Sequence, residues 1–153
     1  KASLIGIATG MVAGLASITP AAGHVGPMGA LIIGGVAGIL CQELINVVKQ
    51  NFSVDDSLDV FAVHGVGGIW GTLALPFLAA TSLGGAGLAE GVSAISQFVV
   101  QLAGVIVVAA FTVVMTVVLA MVARALVGMR TERDDEQVGL DLTAHGERAY
   151  DLS

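Results

Sequence analysis

Charge is scarce in this chain of 153 residues, because charged side chains make up only 12% of it, against roughly 25% in a typical soluble domain. The six Lys and Arg residues form no basic stripe, which argues against nucleic acid as a partner. Cysteine occurs once, at Cys41, so an intrachain disulfide is excluded and a paired-cysteine metal site is not expected. Metalloprotease, nucleophile-elbow and phosphate-loop motifs are also missing, so we expect neither an enzyme nor a bound metal or other cofactor.

Apolar sequence is what the chain has in excess. Hydrophobic residues make up 56% of it, the mean hydropathy is +0.92, and the 21 glycines lie largely inside apolar runs. This composition predicts an all-α membrane protein with four transmembrane helices and a polar tail. Proline and glycine at 19–27, polar residues at 49–56 and a glycine-rich loop at 81–87 separate the helices. The predicted helices are about 3–19, 27–48, 55–79 and 91–129, and the tail is 130–153.

The basic residues indicate the orientation of these helices. All six lie on one side if the four helices alternate in direction, namely Lys1, Lys49, Arg124, Arg130, Arg133 and Arg148. The loops at 20–26 and 81–91 contain none. Because cytoplasmic loops carry the excess of Lys and Arg, this pattern places both ends of the chain and the 49–56 loop in the cytoplasm.

Small residues recur at intervals of four within the first three predicted helices. The stripes are Gly6, Gly10 and Gly14, then Gly26, Ala30, Gly34 and Gly38, then Gly67 and Gly71. Membrane helices with this spacing approach one another closely, so we expect a tight bundle.

His64 is the most informative residue, because it is the ionisable side chain in the uncharged run from Val60 to Ala89. Eight residues from Asp56, it lies about 12 Å deeper along a helix, near the middle of a bilayer core of about 30 Å. Helical spacing puts it on one stripe with Gly67 or Gly68 and Gly71. Ionisable groups at this depth usually mark a path for solute or protons. The alternative role for His64 is packing between helices.

The other ionisable residues are expected to play simpler roles. Asp56 and Asp59 lie at the start of the third predicted helix, before its apolar part, and are expected to cap it, which also supports His64. His24 lies in a loop and is expected to be an ordinary surface residue. His145 lies in the tail, away from any membrane path.

Four segments, in order, resemble one protein family. Residues 55–68 read Asp-Asp-Ser-Leu-Asp-Val-Phe-Ala-Val-His-Gly-Val-Gly-Gly, which closely resembles the signature of ammonium transporters, the Amt/Mep branch of the Amt/Mep/Rh superfamily. Gly-Ile-Ala-Thr-Gly at 6–10 with Ile-Thr-Pro-Ala at 18–21 and Ser-Leu-Gly-Gly at 82–85 are similar to further family motifs. The tail sequence Gly-Leu-Asp-Leu-Thr-Ala-His-Gly-Glu-Arg-Ala-Tyr at 139–150 completes the resemblance.

This resemblance implies the last four helices and the cytoplasmic tail of an eleven-helix inverted-repeat transporter that forms a homotrimer. It implies that His64 is one of two pore histidines and Val60 a pore-lining neighbour, with structural support from Asp56, Asp59, Gly65 and Gly68. It also implies a tail that influences gating, beside a vestibule where P-II signal proteins bind bacterial relatives. Thr143 matches a regulatory phosphothreonine of plant relatives. The expected regulatory residues are Gly139, Asp141, Thr143, His145, Gly146, Glu147 and Tyr150.

Ammonium transport across the plasma membrane (the inner membrane if bacterial) is the function that these residues favour. Ammonium would be deprotonated, and ammonia and the proton would pass along a histidine-lined apolar pore. The expected partners are ammonium or ammonia, methylammonium, membrane lipid and P-II. The alternatives are an ammonium sensor or a Rh-like gas channel of the same fold, and a membrane assembly subunit that transports nothing. The last would explain the glycine stripes but gives no reason for His64.

The predicted orientation can be tested with single cysteines in the complete protein. A cysteine placed within 82–88 should react with an impermeant thiol reagent from outside the cell, whereas one placed within 50–54 should react only after permeabilisation. Labelling of both loops from the same side would contradict the four-helix topology.

Overall fold

A computed structural model describes residues 3–147, and every regular element within them is helical. The chain forms two units, Lys1–Val108 and Ala109–Ser153. The six α-helices of the described part are α1 (Leu4–Ile18), α2 (Pro27–Asn46), α3 (Gly67–Leu78), α4 (Ala94–Leu126), α5 (Arg133–Val138) and α6 (Leu140–Thr143). Short 3₁₀ turns lie at Thr19–Ala21 and Thr81–Leu83.

Two π-helical segments extend these helices on either side of one loop. Val47–Asn51 continues α2, and Phe61–Val66 leads directly into α3. With these additions, four helices within residues 3–147 are long and apolar enough to cross a membrane, namely Leu4–Ala21, Pro27–Asn51, Phe61–Leu78 and Ala94–Leu126. The prediction of an all-α protein with four such helices is therefore confirmed.

The third membrane helix begins later than the sequence predicts, at Phe61 rather than near residue 55. The cause lies in the preceding turn. Asp59 has a φ of +58°, in the left-handed region, and a right-handed helix cannot pass through such a residue. Residues 55–60 therefore form a turn that supplies the cap of the helix instead of its first turns.

α1 and α2 cross at a pair of glycines. A Cβ at Gly14 would lie 3.8 Å from the Cα of Gly34, so the two backbones are in near contact, as expected for small residues at membrane helix crossings. Other members of the predicted stripes do not take part. Gly10 and Gly38 have open space at their Cβ positions, and the face that α2 buries is instead Gly29, Ile33, Ala37 and Cys41.

α3 crosses α1 at Ser17, which is fully buried. A Cβ at Gly71 would overlap the carbonyl oxygen of Ser17, and one at Gly67 would lie 2.7 Å from its hydroxyl oxygen. Both glycines are buried. Because a backbone carbonyl cannot rotate out of the way as a side chain can, this crossing requires glycine at position 71.

Two apolar clusters fill the space between the first three membrane helices. One consists of Ala21, Ile33, Ala74, Leu75 and Ala79, and the other of Ala13, Cys41 and Val63. The indole Nε1–H of Trp70 donates a hydrogen bond to the carbonyl oxygen of Ile33 at 3.0 Å, which joins α3 to α2. Small residues dominate both clusters, so the helices pack closely over a thin core.

The turns at one end of these helices are joined through their backbones. The N–H of Ala86 donates to the carbonyl oxygen of His24 at 2.9 Å, and the N–H of Gly87 donates to that of Ala79 at 2.7 Å. His24 itself is exposed. A Cβ at Gly85 would lie 2.9 Å from the same His24 oxygen. The loop that carries the Ser-Leu-Gly-Gly motif is thus held in place by backbone contacts that need glycine.

Substitution of Gly71 by Ala should disrupt the α1–α3 crossing. The added methyl group meets the Ser17 backbone, so we expect the free energy of unfolding to fall by about 1–3 kcal/mol, as overpacking typically costs. Thermal unfolding of the complete protein in detergent would measure this. Gly35→Ala is the matched control, because no atom in the described part of the chain lies within 4 Å of that Cβ position. Equal stability of the two variants would contradict the crossing.

Candidate functional site

His64 lies within the π-helical segment Phe61–Val66 and is exposed, whereas the two residues before it, Ala62 and Val63, are buried. The buried residues contact the bundle, so the imidazole is on the side of the segment that these helices leave open. Val60, four residues earlier, is 50% exposed. The described helices therefore bring an ionisable ring and an apolar side chain to one open face.

The predicted glycine stripe divides at this point. Gly67 and Gly71 contact Ser17 of α1 and are buried, so they do not share the open face with His64. Gly68, four residues after His64, has no atom of the described residues within 4 Å of its Cβ position. The bare surface beside His64 therefore comes from Gly68. Gly67 and Gly68 are adjacent in sequence, so they lie on different faces of the helix.

Asp56 forms the cap of the segment that carries His64. Its Oδ1 accepts a hydrogen bond from the N–H of Val60 and its Oδ2 accepts one from the N–H of Phe61, each at 2.9 Å. The first N–H groups of a helix have no carbonyl partner within it. A carboxylate that accepts two of them also places negative charge at the positive end of the helix.

The π geometry changes the hydrogen bonding around His64. The N–H of Gly67 donates to two carbonyl oxygens, that of Ala62 five residues earlier, which is the π-type bond, and that of His64 three residues earlier. A π turn inserts one residue into an α-helical course, and such insertions are frequent at functional sites. His64 lies between the donor and the acceptor of this wide turn. The direction in which the His64 side chain points therefore depends on the extra residue of the π turn.

Asp59 and Lys49 form an ion pair beside this segment. Their Oδ1 and Nζ atoms are 2.7 Å apart, and the side chain of Asp59 is only 18% exposed. The carbonyl oxygen of Asp59 accepts a hydrogen bond from the N–H of Val63 at 2.9 Å. Asp59 thus contacts the His64 segment through its backbone and the π-helical extension of α2 through its side chain.

Gly65 and Gly68 are not required by packing within the described helices. A Cβ at Gly65 would make an ordinary contact of 3.4 Å with the ring of Phe61, and one at Gly68 would meet nothing. Their predicted support of a pore stays a prediction, as do the pore roles of His64 and Val60.

The tail motif folds into a short turn around Gly139. The hydroxyl of Thr143 donates to the carbonyl oxygen of Gly139 at 3.2 Å, and the N–H of Glu147 donates to that of Asp141 at 2.9 Å. Gly139 and Gly146 have φ values of +105° and +67°, which favour glycine. His145 is exposed. Tyr150 lies outside the described residues, and the regulatory role of the tail stays a prediction.

Sequence reasoning did not identify Lys49 and Ser17 as structural partners of this site. Lys49 counted only as a marker of orientation, although an opposite charge on the far side of the same loop was a usable signal. Ser17 offered none. Within residues 3–147, no group of three or more His, Cys, Asp or Glu side chains is arranged to hold a metal ion.

A family model and several individual relatives that match this chain are all described as ammonium transporters. The family model described as Ammonium Transporter Family matches residues 1–150. The chain is 40% identical over 153 residues to an ammonium transporter of Aquifex aeolicus, covering 99% of this chain and 36% of that protein. It is 43% identical over 152 residues to ammonium transporter Amt1 of Archaeoglobus fulgidus, covering 98% of this chain and 38% of that protein.

A solved structure titled Sensor Amt Protein has the same fold. It superposes with a TM-score of 0.82 at 30% sequence identity, covering 93% of this chain and 34% of that one. The chain thus spans a little over a third of the length of these relatives.

Proposed function

Because this chain belongs to the ammonium transporter family, we propose that the complete protein carries ammonium across the plasma membrane, with His64 in the transport path. The observation that carries the proposal is the exposed His64 on a capped π-helical segment of a membrane helix. If the imidazole served only to fix packing among these helices, it would be expected on the buried side with Ala62 and Val63.

The chemistry of ammonium explains why a histidine is useful there. A charged ammonium ion loses its hydration in an apolar path at great cost, whereas neutral ammonia loses little. Ammonium would therefore give up its proton at the entrance, and ammonia and the proton would cross separately. A neutral imidazole has one donor and one acceptor nitrogen, so it can accept a proton on one side and release one on the other. Val60 supplies apolar surface beside it.

A second histidine and the far wall of the path would come from elsewhere in the complete protein. A groove between α1 and α2 has Asp59 among its lining residues but includes neither His64 nor Val60. His64 itself is exposed within the described residues. We propose that other helices of the same subunit provide this wall, within a homotrimer.

An ammonium sensor of the same fold is the second candidate, favoured by the solved structure titled Sensor Amt Protein. Sensing needs ammonium binding without net flux, so uptake of labelled methylammonium by cells that carry the complete protein separates the two. Uptake above that of empty cells supports transport. Binding without uptake supports sensing.

Replacement of His64 by Ala in the complete protein should abolish ammonium-dependent current, because it removes the donor and the acceptor that relay the proton. The partner group left unpaired would cost about 1–3 kcal/mol, so the protein should still assemble. His64→Glu keeps a titratable group and should retain current with weaker discrimination against potassium.

Current from liposomes with equal amounts of protein measures this effect. His24→Ala is the matched control, because His24 is exposed in a loop and its substitution should leave the current unchanged. Wild-type current and selectivity from His64→Ala would show that the histidine serves only packing.

We also propose that the tail turn at 139–147 docks on a neighbouring subunit and regulates gating, beside a surface for P-II. The turn holds Thr143 through Gly139, and Asp141 and Glu147 already carry negative charge nearby. A phosphate on Thr143 would add up to about two further negative charges and should disrupt docking.

Thr143→Asp mimics part of that charge and should lower uptake several-fold at equal protein in the membrane. Thr131→Asp is the matched control, because Thr131 is exposed in the same tail but lies outside the turn. Deletion of 139–153 with unchanged uptake and unchanged P-II binding would show that the tail is inert.

A further inference from the structure

The loop between the second and third membrane helices is bounded by two π-helical segments, Val47–Asn51 and Phe61–Val66. Lys49 lies in the first, and Asp59 precedes the second by two residues. Their ion pair at 2.7 Å is therefore a direct side-chain link between two irregular helix ends.

The position of Asp59 makes this link specific. Its φ of +58° is rare for a residue other than glycine, and Asp and Asn are among the few that accept it. In that conformation its carbonyl oxygen accepts the N–H of Val63, the residue before His64. Movement of Asp59 would therefore move the first turn of the His64 segment.

The register of that segment decides which way residue 64 points. At 3.6 residues per turn, removal of the one extra residue of a π turn rotates the preceding residues by about 100° relative to those after it. The residues after it are held, because Gly67 and Gly71 are packed against Ser17. A return to α-helical register would hence turn His64 away from the open face.

We propose that Lys49 and Asp59 are positioning residues that hold the Phe61–Val66 segment in its π-helical register and so keep His64 on the open face. The part of this proposal that concerns transport rests on the function proposed above. Asp56 caps the same segment independently through the N–H groups of Val60 and Phe61. Loss of the ion pair should consequently shift the register without unfolding the helix.

The direct test is the ¹⁵N NMR spectrum of histidine-labelled complete protein, with the His64 signals assigned through His64→Ala. Lys49→Met removes the charge and keeps the length of the side chain, so we expect the His64 signals to move. Lys49→Arg keeps the pair and should retain the wild-type signals. Asp55→Asn is the matched control, because Asp55 is exposed in the same loop and, among the described residues, accepts a hydrogen bond only from the nearby Ser57 hydroxyl.

Transport gives a second readout of the same variants. We expect Lys49→Met to lower ammonium current about tenfold or more at equal protein in the membrane, since small misplacements of a reacting group have effects of this size. Lys49→Arg should restore it. If Lys49→Met fails to assemble, Asp59→Asn removes the pair from the other side and tolerates the same backbone conformation.

Unmoved His64 signals in Lys49→Met or Asp59→Asn would overturn the proposal, and so would an equal change in Lys49→Arg or Asp55→Asn. The NMR result does not depend on transport. If His64→Ala conducts like the wild type while Lys49→Met moves the His64 signals, the proposed transport mechanism fails and the positioning role stands.

Discussion

The third membrane helix depends on one carboxylate. Its first N–H groups have no carbonyl partner within the helix. Asp56 accepts two of them, at Val60 and Phe61. This allows the helix to begin with a π-helical segment immediately after a residue in left-handed conformation. The position of His64 depends on how this helix begins, because His64 lies in the first turns of the segment that Asp56 caps.

The middle of the same helix can pack closely because two of its residues, Gly67 and Gly71, have no side chain. Gly67 and Gly71 let α3 approach the backbone of α1 at Ser17, and Gly14 and Gly34 let α1 approach α2. Membrane helices gain little from burying apolar groups against one another, since lipid is equally apolar. Close packing of backbones supplies the attraction instead, and it fixes the rotation of α3 that presents His64 to the open face.

Several features could be predicted from residues alone. The four long apolar helices followed from runs without charge, and the family followed from the ordered motifs at 6–21, 55–68, 82–85 and 139–150. Asp56 was recognisable as a cap by its place before an apolar run. The start of the third helix was placed too early, because the left-handed conformation of Asp59 has no reliable signal in a single sequence. The glycine stripes were predicted as units, but only some members make contacts.

The sequence by itself determined which segments are helical, that the third one carries a histidine and which family the chain resembles, because hydropathy, capping residues and motifs are local properties. The tertiary structure decided which glycines meet another backbone, that Lys49 pairs with Asp59 and that His64 faces away from Ala62 and Val63. These features depend on the rotation of each helix about its axis. One inserted residue changes that rotation by about 100°, and only contacts between distant parts of the chain select the result.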